Sequence, residues 1–271
     1  MKNHVRKALA LLLAATMAVS MTACGGGKKD DGAAKPKEDA VATTEESTQE
    51  SAGGYKDTIV WGQGADVTSM DPHQGKETPA VQVTNNIFDT LTIVNPETNE
   101  VEPQIAESWE QTDDKTYVFK IRQGIKFHDG SDLTAEDVKF SLDRAKGMPK
   151  TKSNTSKIEE VTVNGDHEVT IKLTEPYAAF KTIVTQHNLS ILSEKAVTEA
   201  GDSYGDVDNL LGSGPFKVTE WVPNDHYTLV RNDNYWGEMP IATSITCRVI
   251  PEGSARTIAL EAGEIDVVWS V

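Results

Sequence analysis

Histidine, aspartate and serine are the side chains of this sequence that could perform metal or acid–base chemistry. The histidines are scattered and lack the short ligand spacing of a zinc site: His73, His128, His167, His187 and His226. Asp71-Pro72-His73 contains two side chains able to bind a metal ion, but we favour His73 as a loop residue. His128-Asp129-Gly130 has the composition of a catalytic pair, yet Asp and Gly are also typical turn residues. The sequence therefore predicts no metal ligand.

Ser213 lies between two glycines, a setting in which nucleophilic serines occur. The G-x-S-x-G pattern of α/β-hydrolases is absent, because the local order is Gly212-Ser213-Gly214-Pro215 and Pro215 blocks the helix that such a turn requires. The glycines also allow a backbone to come close to a ligand. We therefore predict no catalytic residue and no cofactor. A cell-surface hydrolase stays an alternative that would need a nucleophile, a base and an orienting group.

Hairpins and short helices are the elements that must position these residues. Tyr117, Phe119 and Ile121 alternate with polar or less apolar neighbours, which indicates a strand with one buried face, paired through a turn at 113–115 with the segment around Trp109. Further hairpins are predicted over 160–173 and over 216–231. Thr58–Trp61 and Ile265–Trp269 are typical of strands. The mixture predicts a mixed α/β (α+β) body.

Helices are predicted from apolar spacing and from residues that favour helix ends. Residues 80–91 have helical apolar spacing. Thr134 followed by Asp137 is a helix-start pattern, and Val138, Leu142 and Ala145 then share one face. Ser254 is a candidate cap for a helix through Glu261, and Gly263 would end it.

The N-terminus predicts export and attachment to a membrane. Three positive residues (Lys2, Arg6 and Lys7) precede an apolar stretch from 8 to 19, which at about twelve residues is too short to span a bilayer. Cys24 follows Thr22-Ala23 as in a bacterial lipobox, so residues 1–23 are predicted to be a lipoprotein signal peptide and Cys24 the lipidation site. The alternative is an ordinary signal peptide with a chance cysteine. Residues 24–56, poor in large apolar side chains, are predicted to be a disordered linker.

Charge and cysteine content narrow the functional classes. Removing residues 1–23 takes away three positive charges and no negative ones, so the net charge moves from −16 to −19. This acidity argues against binding to nucleic acid. Cys247 is the only other cysteine, and its strand-like setting predicts a small buried residue rather than a redox site.

Several motifs together resemble one protein family. They are the run from Ala106 to Arg144 (AESWEQTDDKTYVFKIRQGIKFHDGSDLTAEDVKFSLDR), SMDP at 69–72, GSGPF at 212–216, RNDNYW at 231–236 and ALEAGEID at 259–266. They occur in the order found in family 5 of the bacterial solute-binding proteins, the extracellular receptors of peptide and nickel ABC importers. The resemblance covers roughly residues 59–268.

The resemblance implies a fold and a division of the chain. The expected fold is a type II periplasmic-binding-protein-like clamshell, with residues 57–88 and 179–271 as the first lobe and 89–178 as a side subdomain. The family continues after the GEID strand, so we expect that the second lobe is missing and that the chain is a fragment with little ligand affinity of its own. Its last strand would then present an unpaired edge.

The resemblance also implies a function. It is capture of peptides or peptide-like solutes outside the cell, or in the periplasm, and delivery to ABC permease subunits, by a lipid-anchored monomer that performs no chemistry. The alternative within the family is a receptor for a nickel complex or another small solute. Similarity places ligand contacts in loop 73–80, at Lys76, Glu77 and Thr78, and in a second loop at Ser213 and Gly214, whereas ordinary surface-loop residues are the alternative. Trp269 is the tryptophan expected beside the cleft.

Overall fold

The structure is a computed structural model that describes residues 55–269. The predicted signal peptide 1–23, the lipidation site Cys24 and nearly all of the predicted linker 24–56 lie outside the described residues.

The described residues form eleven strands, six helices and three short 3₁₀ turns. The strands are β1 (Thr58–Gln63), β2 (Thr92–Val94), β3 (Val101–Pro103), β4 (Ala106–Asp113), β5 (Thr116–Ile121), β6 (Ile158–Val163), β7 (Glu168–Leu173), β8 (Phe216–Val222), β9 (His226–Arg231), β10 (Ser244–Val249) and β11 (Val267–Val268). The helices are α1 (Thr78–Ile87), α2 (Ala135–Gly147), α3 (Lys152–Thr155), α4 (Phe180–Ile183), α5 (Glu194–Ala200) and α6 (Gly253–Glu261). The 3₁₀ turns cover His187–Leu189, Gly201–Ser203 and Val207–Asn209.

A five-stranded sheet carries the first and last described strands, in the order β11-β1-β10-β9-β8. β1 runs parallel to β10 and β11, whereas β10, β9 and β8 are antiparallel. The predicted first strand and the hairpin over 216–231 are therefore confirmed. One apolar cluster packs around this sheet and α1, and its buried members include Met70, Val83, Ile87, Phe88, Tyr227, Leu229 and Cys247.

A four-stranded antiparallel sheet in the order β4-β5-β7-β6 contains the longest family motif. The alternation in β5 is confirmed, since Tyr117, Phe119 and Ile121 are each at most 3% exposed, and Phe119 is the register partner of Trp109. The hairpin over 160–173 is confirmed as β6 and β7, with Gly165 at φ 100° in its turn. Helix α2 packs on this sheet through Val138 and Leu142 and supplies part of its core.

The start of α2 follows the predicted pattern. Thr134 precedes the helix, and its backbone amide donates to Oδ2 of Asp137 over 2.9 Å. The hydroxyl of Thr134 donates to the same oxygen over 3.0 Å. The motif thus closes the first turn of α2, the helix whose last turn contains Arg144.

Three predicted boundaries were wrong. Helix α1 ends at Ile87 rather than 91, because the carbonyl of Ile87 accepts the amide of Gly214 over 2.8 Å and Phe88 is extended. Ser254 is not the cap of α6, since Glu252 occupies that position and no side chain caps it. Strand β11 comprises only Val267 and Val268.

Besides these sheets, β2 and β3 form a two-stranded sheet. Two apolar clusters correspond to the two larger sheets, but their membership does not follow the predicted division of the chain. Phe180, Val184 and Ile191 come after residue 178, yet they pack with the four-stranded sheet. The assignment of 57–88 and 179–271 to a first lobe, and of 89–178 to a side subdomain, stays a prediction.

Candidate ligand-binding site

Loop 73–80 joins a tight turn to the start of α1. The carbonyl oxygen of Asp71 accepts the amides of Gln74 and Gly75 over 2.9 and 2.8 Å. Lys76 and Thr78 are exposed, and Glu77 between them is partly buried. The loop therefore presents two of the three predicted side chains to solvent.

Glu77 ties this loop to the preceding segment. Its Oε1 accepts the backbone amide of Thr68 over 2.9 Å and also the Thr68 hydroxyl, while Oε2 accepts the amide of Lys76 over 3.0 Å. Burial alone would raise the pKa of the Glu77 carboxyl, but these hydrogen bonds outweigh it and lower the pKa to about 2. Glu77 is thus an ionised residue that holds the start of α1, and ligand contact by Glu77 stays a prediction.

A buried ion pair anchors the turn at the start of this loop. Nη1 and Nη2 of Arg144 lie 3.1 and 2.7 Å from the two carboxylate oxygens of Asp71, which is fully buried. Burial opposes ionisation of Asp71, but the Arg144 hydrogen bonds and charge hold the pKa of its carboxyl below the ordinary value. This pair joins the SMDP motif to the last residue of the long motif.

The second predicted loop has a different setting. Ser213 is fully buried, and its hydroxyl donates to Oδ2 of Asp89 over 2.9 Å. The carbonyl oxygen of Gly214 accepts Nε2 of His128 over 3.0 Å and Nδ2 of Asn232 over 3.2 Å. Since its amide is bonded to Ile87, both backbone groups of Gly214 are already paired. Ligand contacts by Ser213 and Gly214 stay predictions, and they would require these hydrogen bonds to open.

Asp89 is the residue that the sequence analysis missed. Its carboxylate is buried and accepts four hydrogen bonds from separate parts of the chain, donated by Ser213, Gln104, Tyr235 and Trp236. Burial raises the pKa of Asp89 despite these donors. The one local signal that could have indicated its burial is that Asp89 directly follows the apolar residues Ile87 and Phe88.

The predicted site residues do not converge on one point. Loop 73–80 enters α1, whereas Gly214 contacts the last residue of this ten-residue helix. The two loops are therefore about 15 Å apart along the helix axis. Trp269 lies on the sheet edge beside β11, with its side chain 59% exposed and its amide 3.3 Å from the carbonyl oxygen of Gly62. Its place beside a cleft stays a prediction.

Two of the histidines, His73 and His128, form hydrogen bonds inside the fold. Burial lowers the pKa of His73 and of His128 to about 4, so both imidazoles are neutral at pH 7. Between residues 55 and 269, no group of three or more His, Cys, Asp or Glu is arranged to hold a metal ion. Cys247 is buried, as its strand setting predicted.

Comparison with protein-family models identifies the family. The model described as "Bacterial extracellular solute-binding proteins, family 5 Middle" matches residues 100–271, more than half of the chain. This chain belongs to that family. The resemblance read from the motifs is confirmed, and the family 5 proteins it resembles are extracellular or periplasmic binding proteins rather than enzymes.

Individual relatives support the same conclusion. The periplasmic oligopeptide-binding protein OppA of Salmonella typhimurium is 27% identical over 237 residues, which cover 79% of this chain and 43% of OppA. DppA of Helicobacter pylori, solved in complex with the peptide STSA, matches with a TM-score of 0.71 and 29% identity over 77% of this chain and 45% of DppA. MoaA of A. tumefaciens R10, solved with mannopinic acid, matches with a TM-score of 0.74 and 30% identity over 79% of this chain and 45% of MoaA.

These structures confirm the fold for the part of the family 5 proteins that this chain covers, which is less than half of their length. The part compared has the mixed α/β fold of type II periplasmic binding proteins. Within residues 55–269, no helix is long and apolar enough to cross a membrane.

Proposed function

We propose that this family 5 chain belongs to the solute-binding component of an ABC importer that captures peptides or peptide-like solutes. The observation that carries the proposal is family membership, together with relatives that are an oligopeptide-binding protein and a protein solved with a bound peptide. Recognition would use strand addition, in which the amides and carbonyls of an extended peptide pair with the receptor backbone. Closure of two lobes around the ligand would then favour the form that the permease recognises.

Loop 73–80 is the proposed contact region within the described residues. Lys76 and Thr78 are exposed. The loop is held by the hydrogen bond of Glu77 to Thr68 and by the Asp71–Arg144 ion pair. Trp269 is a second proposed contact because of its exposed ring at the sheet edge. Ser213 and Gly214 are proposed to act as contacts only if the buried second loop opens.

Binding without catalysis is the proposed mode of action. The hydrolase alternative needs an accessible nucleophile, but the Ser213 hydroxyl is buried and donates to a carboxylate rather than to an imidazole. His128, which reaches the same loop, is bonded to the Gly214 carbonyl rather than to the Ser213 hydroxyl. A small non-peptide solute is the second candidate ligand, favoured by the 30% identity to a relative solved with mannopinic acid.

The proposed location is outside the cytoplasm, on a membrane. It rests on the signal-like N-terminus and on Cys24, and the chain is proposed to act as a lipid-anchored monomer that meets permease subunits and no nucleic acid. More than one acyl chain on this cysteine would be sufficient for stable anchoring, because each buried methylene contributes about 0.8 kcal/mol. Mass spectrometry of the N-terminal peptide from cells carrying wild-type protein or Cys24→Ala tests this, and an unmodified wild-type Cys24 would contradict it.

Calorimetric titration of the complete gene product tests the ligand class. Di- to pentapeptides, mannopinic acid and a nickel chelate are titrated in parallel. Binding of the peptides supports the proposal, whereas binding of only mannopinic acid or only the nickel chelate transfers it to the corresponding alternative. Turnover of a peptide that disappears in a Ser213→Ala variant shown to be folded would instead support the hydrolase.

A further inference from the structure

The imidazole of His73 has one tautomer that satisfies its neighbours. Nη1 of Arg144 lies 2.9 Å from Nδ1 of His73, and a guanidinium can only donate hydrogen bonds. Nδ1 is therefore the acceptor and the ring hydrogen is on Nε2, which lies 3.3 Å from the carbonyl oxygen of Ser190. The lowered pKa of His73, caused first by burial and then by the Arg144 charge, agrees with a neutral ring.

The same guanidinium contacts the turn at 71–75, which overlaps the start of loop 73–80. It occupies both oxygens of Asp71, and these oxygens also accept the amide of His73 and Nε2 of Gln74, each over 2.9 Å. The Asp71 carbonyl closes the turn by accepting the amides of Gln74 and Gly75. The side chain of Arg144 thus contacts Asp71 and His73 directly. Asp71 in turn bonds to Gln74 and Gly75.

Arg144 comes from a different part of the fold. It is in the last turn of α2, which packs on the four-stranded sheet, whereas the turn at 71–75 lies between Met70 and α1, which belong to the cluster around the five-stranded sheet. The guanidinium also lies over the ring of Tyr204, 5.5 Å from its centroid. Its position is therefore set by several elements together.

We propose that Arg144 is a positioning residue for the ligand loop. By holding Asp71 and fixing the tautomer of His73, it sets where Lys76 and Thr78 stand. The proposal deepens the proposed function, on which it rests, and it concerns a residue that acts through others rather than by touching the solute.

Lysine at this position separates positioning from charge. Arg144→Lys retains a positive charge beside the buried Asp71, so the fold keeps its counter-ion. A single ammonium lacks the planar fork that reaches two carboxylate oxygens and Nδ1 of His73 at once. The variant should therefore fold while it releases His73.

Histidine nitrogen spectroscopy and titration of the complete gene product test the proposal. Long-range ¹H–¹⁵N spectra of the ligand-free wild type should show His73 unprotonated at Nδ1, whereas Arg144→Lys should show mixed tautomers and shifted amide signals for Gly75 and Lys76. The dissociation constant for peptide should rise about tenfold. Lys139→Gln, which removes an exposed ion pair on the same helix, should change none of these.

The outcomes are distinguishable. An unchanged His73 tautomer in folded Arg144→Lys, or a changed tautomer with unchanged affinity, overturns the proposal. If Arg144→Lys does not fold, His73→Gln keeps the Asp71–Arg144 pair and removes the ring, and unmoved Gly75 and Lys76 signals in that variant overturn it. If the wild type binds no solute, the proposed function fails, while the spectra of ligand-free protein still decide whether Arg144 sets the loop.

Discussion

The hydroxyl of Ser213 donates to the buried carboxylate of Asp89 over 2.9 Å. The two residues are 124 positions apart, and their hydrogen bond joins the GSGPF loop to the segment that follows α1. The serine that most resembles a nucleophile in the sequence is therefore a structural donor.

Replacing Ser213 by alanine should destabilise the fold. The change removes one of four donors to Asp89, and we expect a loss of about 1–3 kcal/mol in the free energy of unfolding, measured in urea. Ser131→Ala is the matched control, since the Ser131 hydroxyl donates to Asp129 over 2.6 Å at an exposed site, where the loss should be below about 0.5 kcal/mol. Equal losses in the two variants would contradict the importance of the buried bond.

Stability should depend on pH through Glu77. Its pKa is about 2 in the folded chain against an ordinary value of 4.5, so the unfolded state binds the proton more readily. The stabilisation is therefore fully present above about pH 5 and is lost as the pH falls towards 2. Glu77→Gln should cost about 1 kcal/mol at pH 7, because partial exposure weakens the effect, and the gap to wild type should narrow at pH 3.

The control for this experiment is Glu252→Gln. Glu252 is an exposed glutamate at the same position before α6, and it makes no capping hydrogen bond. Urea unfolding at pH 7 should give a smaller difference for Glu252→Gln than for Glu77→Gln. A Glu77→Gln gap that stays constant with pH would contradict the assigned role of the carboxylate.

Gly212 should not tolerate a side chain. A Cβ at this position would overlap the carbonyl oxygen of Ile87, at the end of α1. Gly212→Ala is expected to cost about 1–3 kcal/mol. Gly147→Ala, at the end of α2 with open space around it, should be neutral or stabilise by up to about 1 kcal/mol. Thermal unfolding of the two variants gives the comparison, and an unperturbed Gly212→Ala would show that the backbones are not in contact.

Cys247 should be unreactive in the folded chain. It is buried in β10, and burial raises the pKa of its thiol to about 12, so little thiolate is present at pH 8. In a Cys24→Ala background, Ellman's reagent should modify no thiol in buffer and one in urea. Rapid modification in buffer would instead indicate an accessible, reactive thiol.

The sequence was informative wherever the determining interactions were local. The alternation in β5 and the start of α2 depend on neighbours within a few residues, and both were predicted. The end of α1 was missed because a distant amide, that of Gly214, takes the carbonyl that the helix would have used. The sequence around α1 contains no sign of this distant hydrogen-bond donor.

The supports of the candidate site were missed for the same reason. Asp71 and Arg144 are 73 residues apart, so their pairing depends on how α2 packs. The motifs did indicate that both segments matter, but the resemblance placed Ser213 and Gly214 in a ligand loop without indicating their buried hydrogen bonds. Lys76 and Thr78 are exposed, as a ligand contact requires. Contact with a ligand itself stays a prediction, because it depends on a molecule outside this chain.

The hydrogen bond between Gly214 and Ile87 has a mechanical consequence. Helix α1 is held at its start by the hydrogen bond between Glu77 and Thr68 and at its end by this bond, so both of its ends are tied to other segments. A tilt of α1 alone would break one of these hydrogen bonds. Displacement of the start of α1 is therefore coupled to Gly214 and to the loop that contains it.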